Sequence, residues 1–367
     1  ANVSNANVTT LTFESFDSQI DDLRAAGVRI YGPNATVGKD LEPEYICVSP
    51  DGNSVLVTLQ ENNVVAAIDL QTLTVTALLP LGYKDHSHVA NLLDASDRGG
   101  KIFSAAWPIK GAYQPDAIEC FEIGGVTYAI TANEGDAREW GDFVESQRLG
   151  SLDLDPTAFP NADYLQKNEL LGRLNVLSYD GDTDGDGDLD EIYSFGGRSV
   201  TIWNTATGAA VWDSGDQFEA ITAADPTWGP FFNASNSSTP SFKNRSDDKG
   251  PEPEAVTIAE LDGKTFAFVG LERIGGVVVY DVSNPEAPEF VQYINTREVT
   301  GGDLGPEGVI FIPHNESPNG QNLLVVSNEI SGTLAVFGLE LNCSLDLGED
   351  LAFCADKSAT IAVPSGF

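Results

Sequence analysis

A four-fold internal repeat constrains this chain more than any other feature. Each unit opens on proline, an acid and an apolar strand, adds a second apolar strand ending in an acid, and continues into a third strand. The units begin at Pro43-Glu44-Tyr45-Ile46, Pro115-Asp116-Ala117-Ile118, Pro253-Glu254-Ala255-Val256 and Pro306-Glu307-Gly308-Val309. Their second acids, Glu61, Glu134, Glu272 and Glu329, follow the first by 17, 18, 18 and 22 residues. Units of this kind cannot bury their apolar faces alone and must stack on one another. Short runs rich in Val, Ile, Leu, Phe and Tyr, cut by Gly, Pro, Asn and Asp, make each unit a small antiparallel sheet. The expected fold is therefore all-β: a β-propeller of four-stranded antiparallel blades, about five in this chain, as part of a seven-bladed ring.

Between the second and third units lies Asp182-Thr-Asp184-Gly-Asp186-Gly-Asp188-Leu-Asp190-Glu191. Ca²⁺ takes about six to eight oxygen ligands, and carboxylates at alternate positions of a tight loop can supply them. An EF-hand loop needs Glu at position twelve, which here is Tyr193. A shorter calcium hairpin fits, with Asp182, Asp184, Asp186 and Asp190 as side-chain ligands and the Asp188 carbonyl as another. Its flanks, Leu174–Tyr179 and Ile192–Phe195, read as strands, and with Ser199–Trp203 they are expected to form the fifth blade. Trp107, Trp203 and Trp212 are expected to pack between blades.

Residues 1–340 are expected to form the propeller. Polar insertions stand near 136–170, with a short helix around Asp163–Leu171, and near 215–252, an exposed excursion. Residues 341–367 read as a tail clipped by a Cys343–Cys354 disulfide, which implies an oxidising compartment. Cys47 and Cys120 are either buried thiols or a second bridge.

The net charge of −37 repels nucleic acid and anionic membranes and calls for divalent cations as partners. No run of 18 apolar residues exists, so membrane insertion is not expected. Sequons start at Asn2, Asn7, Asn34, Asn233, Asn236, Asn244, Asn315 and Asn342. That excess over the roughly three expected by chance suggests a secreted glycoprotein, extracellular or on a cell surface. A chain opening at Ala1 without methionine is expected to be a processed product whose signal segment has gone.

Beyond the repeat, the sequence resembles the choice-of-anchor I family. The matching stretches are Leu41-Glu-Pro-Glu-Tyr-Ile, Thr58-Leu-Gln-Glu-Asn-Asn63, Tyr113-Gln-Pro-Asp-Ala-Ile and Thr131-Ala-Asn-Glu-Gly-Asp-Ala-Arg-Glu-Trp140. They continue with the calcium loop, Gly250-Pro-Glu-Pro-Glu254, Gly270-Leu-Glu-Arg-Ile-Gly-Gly276 and Leu304-Gly-Pro-Glu-Gly308, spanning residues 28 to 340. The resemblance implies a secreted β-propeller often attached to a surface or matrix. Relatives include a mesenchyme-specific cell-surface glycoprotein of biomineralising animals and proteins labelled as atypical alkaline phosphatases. It also implies further blades before Ala1, so that this chain is a carboxyl-terminal portion.

If the first strand of each unit lines a central channel, Glu44, Asp116, Glu254 and Glu307 stand around one rim, and Glu61, Glu134, Glu272 and Glu329 approach from neighbouring turns. So many carboxylates cannot all stay ionised without cations, so channel-bound Ca²⁺ is expected there. With Arg273, and Arg138 and Arg198 beside it, such a site would suit phosphoester hydrolysis. Nucleophile elbows, phosphate loops and His-Glu-x-x-His are absent. Asp85-His86-Ser87-His88 reads as a polar turn. The leading expectation is a calcium-binding interaction or assembly module for matrix proteins, surface proteins or further copies of itself. The alternatives are a calcium-dependent hydrolase and a polymer subunit pairing through an open blade edge.

Overall fold

The computed structural model describes residues 7–140, 143–237, 239–342 and 358–362. Each repeat unit forms a four-stranded antiparallel sheet with its strands in chain order. The first sheet comprises Ile46–Val48, Ser54–Leu59, Val64–Asp69 and Thr74–Pro80. The third comprises Pro253–Leu261, Lys264–Leu271, Val277–Asp281 and Glu289–Ile294. The fourth comprises Pro306–Ile312, Asn322–Asn328, Thr333–Asn342 and Ser358–Ala362.

The second sheet departs from expectation. Its strands are Ile118–Ile123, Val126–Asn133, Ser199–Asn204 and Ala209–Asp213. Ser199–Trp203 therefore completes the second unit instead of joining the calcium hairpin in a fifth blade. The pairing Ile130↔Ile202 and Ala132↔Val200 aligns four fully buried side chains on one face. Burying a Val or Ile is worth about 1.5–3 kcal/mol each, which sets this register across a long insertion. The hairpin strands instead enter a five-stranded mixed sheet of Tyr83–Asp85, Lys110–Ala112, Ser146–Arg148, Asn175–Leu177 and Tyr193–Ser194.

Consecutive four-stranded sheets pack face to face, with first strands adjacent. Cys47, Leu56 and Val65 of the first meet Ile118 and Ala129 of the second. The second and third sheets meet through Ile130, Val200, Ile202, Val269 and Val278. Phe266, Phe268 and Val279 face Val309, Leu324 and Phe337 across the next interface. Cys47 and Cys120 form a disulfide between the first strands of the first two sheets, which settles their pairing. Cys343 and Cys354 lie outside the described residues. The tail is not wholly separate, because Ser358–Ala362 supplies the fourth strand of the last sheet.

The stretch 215–252 is not an exposed excursion. It contains the helix Gln217–Ala224, and Phe218 and Trp228 enter the core between the second and third sheets. Its aromatic residues outweigh the polar composition that surrounds them. The insertion near 136–170 does carry a short helix, Ala162–Leu165. Trp107 and Trp203 are buried, while Trp212 packs edge-on against Tyr280.

Candidate metal centre

The repeat places its first acids through a shared backbone irregularity. In the third and fourth sheets the register shifts at Pro253/Ala255 and Pro306/Gly308, so Glu254 and Glu307 are the extra residues. The first two units make the same arrangement. Glu44 N donates to Thr58 O while Thr58 N donates to Tyr45 O; Asp116 N donates to Ala132 O while Ala132 N donates to Ala117 O. Two residues facing one is a bulge, and a bulge re-aims the side chain it carries. The second acids follow the second strands, so all eight stand at the same end of their sheets. Close packing fixes one of them tightly. Gly135, at φ +90°, approaches Gly196 so closely that an added Cβ would stand 2.3 Å from the Gly196 nitrogen, which holds the chain directly after Glu134.

These acids are neighbours along the sheet ends, and two triads stand out around them. Asp116, Glu134 and Glu254 each put a carboxylate oxygen within 4.8 Å of the others, with Glu307 beside Glu254 and Asp116. Glu134, Glu252 and Glu272 make a second such set. Glu329 lies near Glu307 and Glu272 and is exposed. Glu44, which also neighbours Asp116, and Glu61 line a cavity of about 560 Å³ with Glu42, Asp136, Arg138, Glu139 and Trp140.

Among the described residues, Lys249, Arg245 and Arg273 gather around Glu252, the first two of which sequence reasoning did not single out. Glu252, with no exposure and a left-handed φ of 52°, contacts Arg245 at 2.7 Å, Arg273 at 2.8 Å and Lys249 at 3.2 Å. Burial would raise the Glu252 carboxyl, but Lys249, Arg245 and Arg273 outweigh it and hold it at about 2. Lys249 also pairs with Glu134, whose other oxygen accepts from Gln60 Nε2 at 2.7 Å. Burial opposes the Lys249 charge, yet Glu252 and Glu134 keep it protonated. Arg273 reaches Glu272 at 3.0 Å, and Asn236 Nδ2 donates to Glu272 at 2.8 Å. The second set is thus occupied by tethered cations.

Asp116, Glu254 and Glu307 have no such partner among the described cations. Burial, followed by the neighbouring acids, pushes Asp116 up to about 7 and Glu254 up to about 11. Burial also raises Glu61 and Glu272 to about 7. Glu254 is 7% exposed, and its Oε2 has no hydrogen-bond partner. A buried atom left without a partner costs about 1–3 kcal/mol or more.

The other expected arginines pair with acids outside both triads. Arg198 donates to Glu219 and to the carbonyls of Asp94, Ser246 and Asp248. Arg138 lies 3.1 Å from Asp40 and stacks near Trp140. Both lock turns.

At the hairpin, Asp182, Asp184 and Asp190 bring oxygens within 4.8 Å of one another. Gly185 N and Gly187 N donate to Asp182, and Thr183 N donates to Asp190, which winds the loop around its acids. Asp186 accepts from the Asp188 amide and stands outside that set. Asp188 and Asp190 also meet Asp155, a residue with no signal in the local sequence. Like charge from Asp186 is the main cause raising Asp184, and the carboxylates of this loop repel without a cation.

The sequons are not equivalent. Asn7, Asn34, Asn244 and Asn315 are exposed, and Asn236 is half-buried. Asn233 is fully buried and donates to Glu219 and Ser246, so a glycan there does not fit this fold. Asn2 lies outside the described residues, as does the Asn342 side chain. His86 is also buried, with Nδ1 2.8 Å from Asn91 O, while Asp85, Ser87 and His88 of the same polar turn are exposed.

The chain is 30% identical over 188 residues to Gigasin-3a of Magallana gigas, covering 47% of this chain and 66% of that protein. It is 26% identical over 321 residues to the mesenchyme-specific cell surface glycoprotein of Strongylocentrotus purpuratus, covering 75% of this chain and 40% of the relative. The chain thus spans less than two thirds of either relative. A solved structure, a putative 6-phosphogluconolactonase from Bacteroides uniformis, matches at 13% identity and a TM-score of 0.35, over 85% of this chain and 54% of that one. The model of the choice-of-anchor I domain matches residues 1–285. On the repeat, its acids and this match, the chain belongs to the choice-of-anchor I family.

Proposed function

We propose that this protein is a secreted, calcium-binding module of a cell surface or extracellular matrix, with its four repeat sheets arranged as propeller blades. The single observation that carries the calcium assignment is the hairpin, where Asp182, Asp184 and Asp190 converge within 4.8 Å on a loop wound by its own amides. The name of the Strongylocentrotus purpuratus relative supports a surface location. An exposed apolar row on the fourth sheet supports docking to another protein or a further copy. There Ile310, Val325 and Val336 stand side by side, with Ile310 55% and Val336 49% exposed. Calcium titration by calorimetry tests the reading, with Asp184→Asn/Asp190→Asn as the hairpin-deficient variant. Loss of a binding event supports it, and unchanged stoichiometry and affinity overturn it.

A second reading, calcium-dependent phosphoester hydrolysis, draws on Arg273 standing beside the acids at the sheet ends. Phosphate release from a phosphomonoester and a phosphodiester, in calcium and after chelation, tests it. Turnover that vanishes in Glu254→Gln would favour the hydrolase. No turnover from a folded, calcium-saturated sample would exclude it for those substrates.

A further inference from the structure

Charge accounting at the sheet ends separates two acid sets that differ in one respect. Glu134, Glu252 and Glu272 are filled by Lys249 and Arg273, side chains of the chain itself. Asp116, Glu134 and Glu254 share only Lys249, and that at the Glu134 edge. Glu254 sits in the middle of its set. It is more than nine-tenths buried, Asp116 and Glu134 are within ligand-sharing distance, Glu307 adjoins it, and its Oε2 is unpartnered.

We infer that Asp116, Glu134 and Glu254 form an interior site for a hard divalent cation, Ca²⁺ above all, which joins the second sheet to the third. The inference deepens the reading of the protein as a calcium binder but uses no residue of the hairpin. Three carboxylates with no nitrogen or sulfur donor select an oxygen-preferring ion. Oxygens up to 4.8 Å apart match ligands on opposite sides of an ion with Ca–O distances of about 2.3–2.6 Å. The ion gives Glu254 Oε2 its missing partner. Lys249 offsets the charge left at Glu134.

The placement gives the ion a structural effect. Asp116 and Glu134 flank the first two strands of the second sheet, and Glu254 is the bulged residue of the third. The fourth sheet brings Glu307 to the same point. A bound ion therefore ties neighbouring repeats together at the end where they otherwise repel. The competing arrangement is a proton held between Glu254 and Glu307.

The test is calcium calorimetry on the full chain in the Asp184→Asn/Asp190→Asn background. One calcium per chain should remain, and adding Glu254→Gln should weaken it at least tenfold, with Asp116→Asn as the second variant should the first not fold. Retention of one site lost through Glu254 or Asp116 establishes the interior site whether or not the hairpin reading holds. No calcium in the hairpin-deficient protein overturns it, even if neither further variant folds. Unchanged binding in Glu254→Gln also overturns it. A shared proton predicts that Glu254→Gln melts at or above the parent and that calcium leaves the parent's midpoint unmoved.

Discussion

Cys47 and Cys120 are joined by a disulfide with their Cα atoms 5.5 Å apart, on the first strands of two neighbouring sheets. The bond closes a loop of 73 residues, and chain-entropy arguments value such a closure at about 4 kcal/mol. The double variant Cys47→Ala/Cys120→Ala should unfold at lower denaturant, losing several kcal/mol. An unchanged denaturation midpoint would mean that apolar packing alone holds these sheets.

Arg29 is wholly buried between Glu145 and Asp180, with Nε 2.9 Å from Asp180 and Nη1 donating to Glu61 O at 2.7 Å. It ties the amino-terminal segment to the insertion that carries the hairpin. Arg29→Met leaves two buried carboxylates uncompensated and should cost about 3–5 kcal/mol. Thermal unfolding of this variant and of Arg29→Met/Glu145→Gln checks it, since removing one stranded charge should restore part of the loss.

His86 is buried beside Lys84 and Arg198, and burial first, then those charges, pushes its imidazole down to about 3. Its folded value lies below the unfolded one, so its contribution is complete above pH 6.5 and is lost as pH falls towards 3. At about pH 4.5 the loss amounts to roughly 2–3 kcal/mol. The stability difference between the native protein and His86→Gln should therefore shrink or reverse between pH 7 and 4.5. A constant difference across that range would show that His86 does not titrate as described.

On the proposed calcium reading, the ion should raise the thermal midpoint, because the hairpin acids would hold it when folded and repel without it. At a free concentration of about 100 Kd, one site adds roughly 2.7 kcal/mol. Amide exchange after chelation should accelerate first at residues 182–190, where Gly185 and Gly187 depend on Asp182. Uniform acceleration over all sheets would contradict this.

Glycopeptide mapping of protein from a glycosylating host should find Asn233 unmodified, whereas Asn34, Asn244 and Asn315 are accessible. Asn233→Gln should destabilise the fold although it removes a sequon, because the Glu219 and Ser246 hydrogen bonds are lost. Each lost bond should cost about 1 kcal/mol, since Glu219 keeps Arg198 and the Asp94 amide as partners.

The four strand-turn-strand units and the position of their acids were legible in the chain, because alternation, proline and turn residues act over a few neighbours. That these acids sit on bulges was seen only in the strand register. The third strand of the second sheet was not legible, since Ser199–Asn204 finds Val126–Asn133 only through burial across a long insertion. Asp155 was invisible for the same reason. The sequence by itself determined four small sheets, each with acids at fixed steps, and one loop of alternating aspartates. Only the tertiary structure decided that Lys249 and Arg245 would neutralise Glu252 while Glu254, among the described residues, drew no cation. Charges compensate through space, over distances to which their spacing along the chain is no guide.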